Sequence, residues 1–324
     1  MSDPGTRKAD ASQAEIEKRL RDVYQAAARD ITERLDAHQR HFNRLDEIKR
    51  QKVEAGTLSR EQYQQWLNGQ VFRGKLWEDQ VKSLTDTLLD ANRTALRIID
   101  GERLAVFGEN ATYQAYRLEH DANIDLGFTV YDSATVTRLI RNQPNLLPPH
   151  QLNSEKDAAW NRKTIASIIA RGVLSGAKLE DIAGHLGQAL GDTNRKSMLR
   201  YARTAMTAAQ NAGRIEVLHE AQDMGIKVKK VWIATLDERT RESHGLLDGH
   251  SVDVDDAFSS ILGPIRYPGD PAASADNTWN CRCTLGYEYE EYPKQNAERY
   301  DQEYGEVIEY MTYSEWKEWR NGQR

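Results

Sequence analysis

The stretch GIKVKKVWIATLD, from Gly225 to Asp237, decides the fold class. In it Val231 and Ile233 stand opposed to Trp232, a period of two that predicts a β-strand running to Thr235. Most of the chain upstream is paced differently. From Ala11 to Val53 there is no glycine or proline, and Ile16, Leu20, Val23, Ala27, Ile31, Leu35, Phe42, Leu45 and Ile48 recur mostly at steps of three and four. That is one long amphipathic helix with a single apolar stripe, which needs a partner to cover it. Ser59 with Gln62 three residues on predicts a capping box that opens a second helix after the break at Gly56. A third helix is expected over Leu76 to Ile99, carrying Val81, Leu84, Leu88, Ala95 and Ile98. Around Gly127, GFTVYDSATVTRLI mixes a β-branched segment with a helix start.

The stretch NQPNLLPPHQLNSE, with Pro144, Pro148 and Pro149, pre-sets extended backbone and reads as a connector or docking loop. Helices are then expected over Glu155 to Arg171, Leu179 to Leu190 and Arg195 to Met224, with Gly176 placed to end the first of them. The fold class is therefore mainly α with a small α+β C-terminal core. Its divisions are an elongated helical region at 1–141, a Pro/Asn-rich connector at 142–154, a core of helices followed by strand and loops at 155–286, and an acidic, aromatic-rich tail at 287–324. The tail's tyrosines and tryptophans suit either an interface or a packed terminal helix.

Charged residues make up 29% of the 324 and hydrophobic ones only 39%, a balance that favours long exposed helices or polar contact surfaces. No run of about eighteen apolar residues exists, and the N-terminal twenty residues lack the apolar middle of a secretory signal. A cytoplasmic protein with no membrane partner is expected, its two cysteines present as thiols or metal ligands. The formal net charge of −6 argues against general coating of nucleic acid. Between Arg195 and Lys230, however, eight basic residues meet only Glu216, Glu220 and Asp223. Arg195, Arg200, Arg203 and Arg214 are thus candidates for a nucleic-acid contact, the alternative being a solvated helix face.

Beyond the strand lie DERTRESHGLLDGH, Asp237 to His250, and NTWNCRC, which holds Cys281 and Cys283. His244 and the two cysteines offer the imidazole and thiolates that zinc prefers, with His250, Asp237, Asp253 or water as a fourth ligand. Cys-x-Cys is a weaker metal signal than Cys-x-x-Cys, and the same residues suit small buried thiols beside a hydrogen-bonded core histidine. A thiolate nucleophile with His244 as base lacks a recognisable oxyanion loop. A nuclease built from His244 and His250 beside Asp237 and Asp253 is chemically possible and unspecific.

In order along the chain, ARTAMTAAQNAGR from Ala202, VWIATLDERTRESHGLLDG, a spacer with YPGDP, and WNCRC resemble the conserved core of the phage Mu F-like minor head protein family, also called phage head morphogenesis proteins. The preceding GAKLEDIAGHL is similar to the helix before that core, so the resemblance spans about Ile165 to Leu285. It implies low-copy virion proteins that meet the portal, the major capsid or a scaffold protein during head assembly and sometimes travel with packaged DNA. The expected location is the host cytoplasm during assembly, then the virion interior near the portal. The motif residues carried over are Arg203, Thr204, Trp232, Asp237, Arg239, Thr240, Arg241, His244, Leu247, Asp248, Gly249, Trp279, Asn280, Cys281, Arg282 and Cys283. Some members place cysteines at the positions of Arg241 and His244 and a histidine at that of Thr278, a fuller zinc set than this chain has.

A structural clasp is expected of Asp237, Arg241, His244, Asp248, Gly249, Trp279, Asn280, Cys281, Arg282 and Cys283. The loop leaving the strand would meet the returning NCRC segment and close an irregular lobe whose ordering costs chain entropy. In this reading Gly249 permits the turn, Asp248 bonds its own backbone, and Arg241 or Arg282 is held by Asp237 or Asp253. The resulting expectation is a non-enzymatic head protein, with no certain cofactor and zinc as the candidate. The rivals are a metal- or His-dependent hydrolase or nuclease and a DNA-associated internal virion protein.

Overall fold

The computed structural model describes residues 3–72, 75–122, 126–148, 154–174, 179–289, 298–301 and 306–309, with 315 and 318. The helices are α1 (Pro4–Glu54), α2 (Arg60–Phe72), α3 (Lys75–Ala122), α4 (Ser133–Asn142), α5 (Ser154–Leu174), α6 (Leu179–Asp223) and the short α7 (Glu242–Gly245) and α8 (Ala275–Thr278). The strands are β1 (Val228–Ile233), β2 (Ser251–Asp253), β3 (Phe258–Ser260), β4 (Gly263–Ile265), β5 (Thr284–Tyr289), β6 (Glu298–Asp301) and β7 (Glu306–Glu309). The mainly helical architecture with a small α+β C-terminal part is as the periodicities predict.

The capping box is present: Ser59 N–H donates to Gln62 Oε1 at 3.0 Å and Gln62 N–H to Ser59 Oγ at 3.1 Å. Three helices run differently from their sequence reading. α1 begins at Pro4 rather than Ala11. α3 continues 23 residues past Ile99, through Gly101 and Gly108, because Val106, Phe107, Ala111 and Leu118 keep its apolar face buried. α6 joins what sequence divides into two helices at Gly191–Asn194. Gly191 seats against the Tyr24 carbonyl, where a Cβ would lie 3.4 Å away, and Asn194 Nδ2 bonds Leu190 O at 2.9 Å and Asn161 Oδ1 at 3.3 Å. Local turn signals yield here to packing. The stop expected at Gly176, the middle of the connector and most of the tail lie outside the described residues. β6 and β7 form an antiparallel pair inside the tail, where a terminal helix was one of two expectations.

The chain forms two compact units, each interleaving segments from both sides of the connector: one has Met1–Glu17, Ile98–His150 and Leu199–Arg324, the other Lys18–Arg97 and Gln151–Met198. The core of the second is helical, with Ile31 and Leu35 of α1, Leu84 and Leu88 of α3, Ile165 of α5 and Ile182, Leu186 and Leu190 of α6. Trp160 on α5 is 45% exposed. The first unit holds the sheet β2-β1-β5, antiparallel throughout, with Trp232 opposite Leu285 and Lys230 opposite Tyr287. Val228, Lys230 and Trp232 face inward along β1. The buried Lys230 ammonium donates to Val254 O at 2.7 Å and lies over the Phe258 ring. This sheet positions the site.

Candidate functional site

β1 ends at Ile233, two residues short of the sequence reading, and its chain leaves into the loop that carries Asp237 to His250. The sheet holds both ends of that loop. Gly249 N–H donates to Trp232 O at 2.9 Å, Trp232 N–H donates to His250 O at 3.0 Å, and Gly249 takes a φ of 75°, which favours glycine. Asp248 bonds across the turn, its Oδ1 accepting from Ala234 N–H at 2.7 Å. The returning segment passes through α8 and then Asn280, whose φ of 54° is left-handed, before Cys281, Arg282 and Cys283 run into β5.

The two arms meet at His244 and the cysteines. His244 Nδ1 lies 3.5 Å from Cys281 Sγ and 3.6 Å from Cys283 Sγ. His244 and Cys281 are each 1% exposed, and Cys283 is 3% exposed. The other ring nitrogen, Nε2, sits 3.0 Å from Asn277 Oδ1, and the Trp232 ring meets the imidazole edge-on at 5.1 Å. Arg282 grips the Asp237 carboxylate with both terminal nitrogens, one at 2.7 Å. Of the two arginines it is Arg282 that takes the carboxylate, while the Arg241 guanidinium donates to Trp279 O. Among the described residues the three metal-type donors form a group that Asp237, His250 and Asp253 do not join.

The charges reflect this packing. Burial raises the Asp237 carboxyl pKa, but the Arg282 hydrogen bonds and charge outweigh it and hold it below the usual carboxylate range. Burial opposes a charged His244, yet its bond to Cys283 and the sulfur's charge bring the imidazole pKa up. For Cys283 the bonds from Cys281 and His244 overcome burial and push the thiol pKa down. Cys281 is pushed up, first by its bond to Cys283 and then by burial.

Sequence reasoning missed what holds the returning arm to α6. Thr207 Oγ1 donates to Cys281 O at 2.6 Å. Asn211 Nδ2 donates to Cys283 O at 3.3 Å while its Oδ1 accepts Leu285 N–H at 2.7 Å, and Arg214 Nη1 donates to Leu285 O at 3.2 Å. Positions 207, 211 and 214 share one helix face, so ARTAMTAAQNAGR supplies side chains to the backbone of the NCRC arm. That spacing was the available signal. Nothing in the sequence singles out Asn277 beyond its place before TWNCRC.

The nucleic-acid candidates separate. Arg214 is corrected: it is 5% exposed and its guanidinium is held by Asp3, Asn110 and Leu285 O, so it has no face to offer. Arg195 is half-buried and 3.5 Å from Asp192. Arg200 and Arg203 are exposed, and the Arg200 guanidinium lies 4.2 Å above the Trp279 ring, an aromatic partner that sequence order hides.

The family model described as "Phage Mu protein F like protein" matches residues 163–286. Among curated proteins, the chain is 31% identical over 228 residues to "Minor head protein GP7" of Bacillus phage SPP1, covering 69% of this chain and 72% of that protein. It is also 31% identical over 209 residues to "NAD(+)--arginine ADP-ribosyltransferase EFV" of Enterococcus faecalis, and 26% identical over 176 residues to an uncharacterized protein of Haemophilus influenzae. These alignments take in 62% and 54% of this chain but only 40% and 35% of the two relatives. No solved structure matches.

Proposed function

Because the chain belongs to the phage Mu protein F like family, we propose that it is a minor head protein of a tailed phage and acts in head morphogenesis. The observation that carries this is the alignment with the SPP1 minor head protein, which extends well beyond the family segment into the other helices. In this reading the protein enters the virion through contacts with the portal, the inner capsid or a scaffold protein. Asp237, Arg241, His244, Asp248, Gly249, Trp279, Asn280, Cys281, Arg282 and Cys283 form a clasp that keeps the lobe closed.

Enclosure of His244, Cys281 and Cys283 supports a non-enzymatic role, since a substrate has no access to side chains this deeply covered. Asp237, the nearby carboxylate a nuclease would use, is taken by Arg282. The ADP-ribosyltransferase activity is that of a relative of which this chain spans 40%. Among the described residues no helix is long and apolar enough to cross a membrane.

The test is co-expression with the portal and major capsid proteins of the same phage, followed by affinity purification and localisation in assembled heads. Recovery with the portal and density beside it are expected. Heads that assemble and package normally without the protein, with none of it in the particle, refute the reading. Contact with packaged DNA is a second reading, favoured by exposed Arg203 and by exposed Arg200 above the Trp279 ring. Its mark is duplex binding that weakens steeply with salt and is reduced in Arg200→Ala/Arg203→Ala.

A further inference from the structure

We infer that His244, Cys281 and Cys283 hold one zinc ion, bound through Nδ1 and the two sulfurs, with the fourth vertex left to water. Zinc takes sulfur at about 2.3 Å and imidazole nitrogen at about 2.0–2.1 Å, so these ligands on a tetrahedron lie about 3.6 Å apart. The Nδ1–Sγ separations here are 3.5 and 3.6 Å, and all three donor atoms lie within 4.8 Å of one another. The donors come from two arms held independently by the sheet and by α6, so their convergence does not depend on an ion.

The imidazole is also turned the right way. Asn277 Nδ2 donates to Gly263 O at 3.1 Å, which directs its Oδ1 to His244 Nε2 at 3.0 Å. An accepting oxygen at Nε2 places the ring proton there and leaves the Nδ1 lone pair facing the sulfurs. This is the outer-shell arrangement that orients metal-bound histidines. Two thiolates and a neutral imidazole balance a divalent cation, and the mixed sulfur–nitrogen set favours zinc over magnesium or calcium. Trp232 Nε1 and Ser243 Oγ are buried beside His244 with no hydrogen-bond partner among the described residues, polar capacity that suits a bound water.

The full chain, produced with zinc in the medium and desalted, is expected to carry one zinc per polypeptide by elemental analysis. After chelation, added cobalt(II) should give thiolate-to-cobalt charge transfer in the near ultraviolet and the intense visible bands of four-coordinate cobalt. Asn277→Ala should weaken zinc binding about 10- to 100-fold, and Cys283→Ser should lose more. Should Cys283→Ser fail to fold, the cobalt spectrum of the unaltered chain decides the matter. Sub-stoichiometric zinc together with the spectrum of hydrated cobalt overturns the proposal and leaves a hydrogen-bonded thiol–imidazole group. Zinc retained undiminished by a folded Cys283→Ser protein overturns it equally.

Discussion

Lys230 is a residue whose chemistry is altered by its surroundings. It lies on β1 with no exposure, one carbonyl and one aromatic ring as its nearest partners, and burial brings its pKa from 10.5 to about 8. Below pH 8 the ammonium is charged in the folded and unfolded chains alike, and its burial is a constant cost. Between pH 8 and about 10.4 the folded chain releases its proton first, so stability rises with pH, by up to about 3 kcal/mol. Lys230→Met should remove that rise. Denaturation midpoints of wild type and variant measured across this range test it, and parallel curves would show that Lys230 does not titrate early. The strand's alternation placed Lys230 on the same face as Trp232, but a lysine there is read as solvated until the structure shows Val254 and Phe258 enclosing it.

At the scale of elements, α6 matters most, because its face at Thr207, Asn211 and Arg214 takes over backbone groups of the arm leading into β5. Asn211 alone satisfies the Leu285 N–H and bonds the carbonyls of Cys283 and Pro268. Asn211→Ala leaves these buried groups unpaired and should cost about 3 kcal/mol, at roughly 1–3 kcal/mol for each unsatisfied group. Chemical denaturation reads this directly; a loss below a few tenths of a kcal/mol would mean that water substitutes. The helical pattern and the two motifs were each legible in sequence. Their connection was not, since hydrogen bonds between positions some 72 apart leave no periodic trace.

On the scale of the whole molecule, the first unit is assembled from chain-distant segments, and one tie joins Asp3 to Arg214 at 2.6 Å across 211 positions. Arg214 is nearly fully buried, so removing its carboxylate partner leaves a charge less compensated; Asp3→Ala should cost about 3 kcal/mol. A double-mutant cycle with Arg214→Met isolates the pair, and zero coupling would show that the first turn of α1 does not support the core. Sequence alone determined the helical majority, the phase of β1 and the capping box at Ser59. Each is written in spacing or residue type within a short window. Only the tertiary structure decided that α3 and α6 run on past their glycines, that Arg214 faces inward, that Arg200 finds Trp279, and that each unit draws from both sides of the connector. Local periodicity records which face of an element is apolar, whereas the partner that covers it is chosen by contacts between residues far apart in the chain.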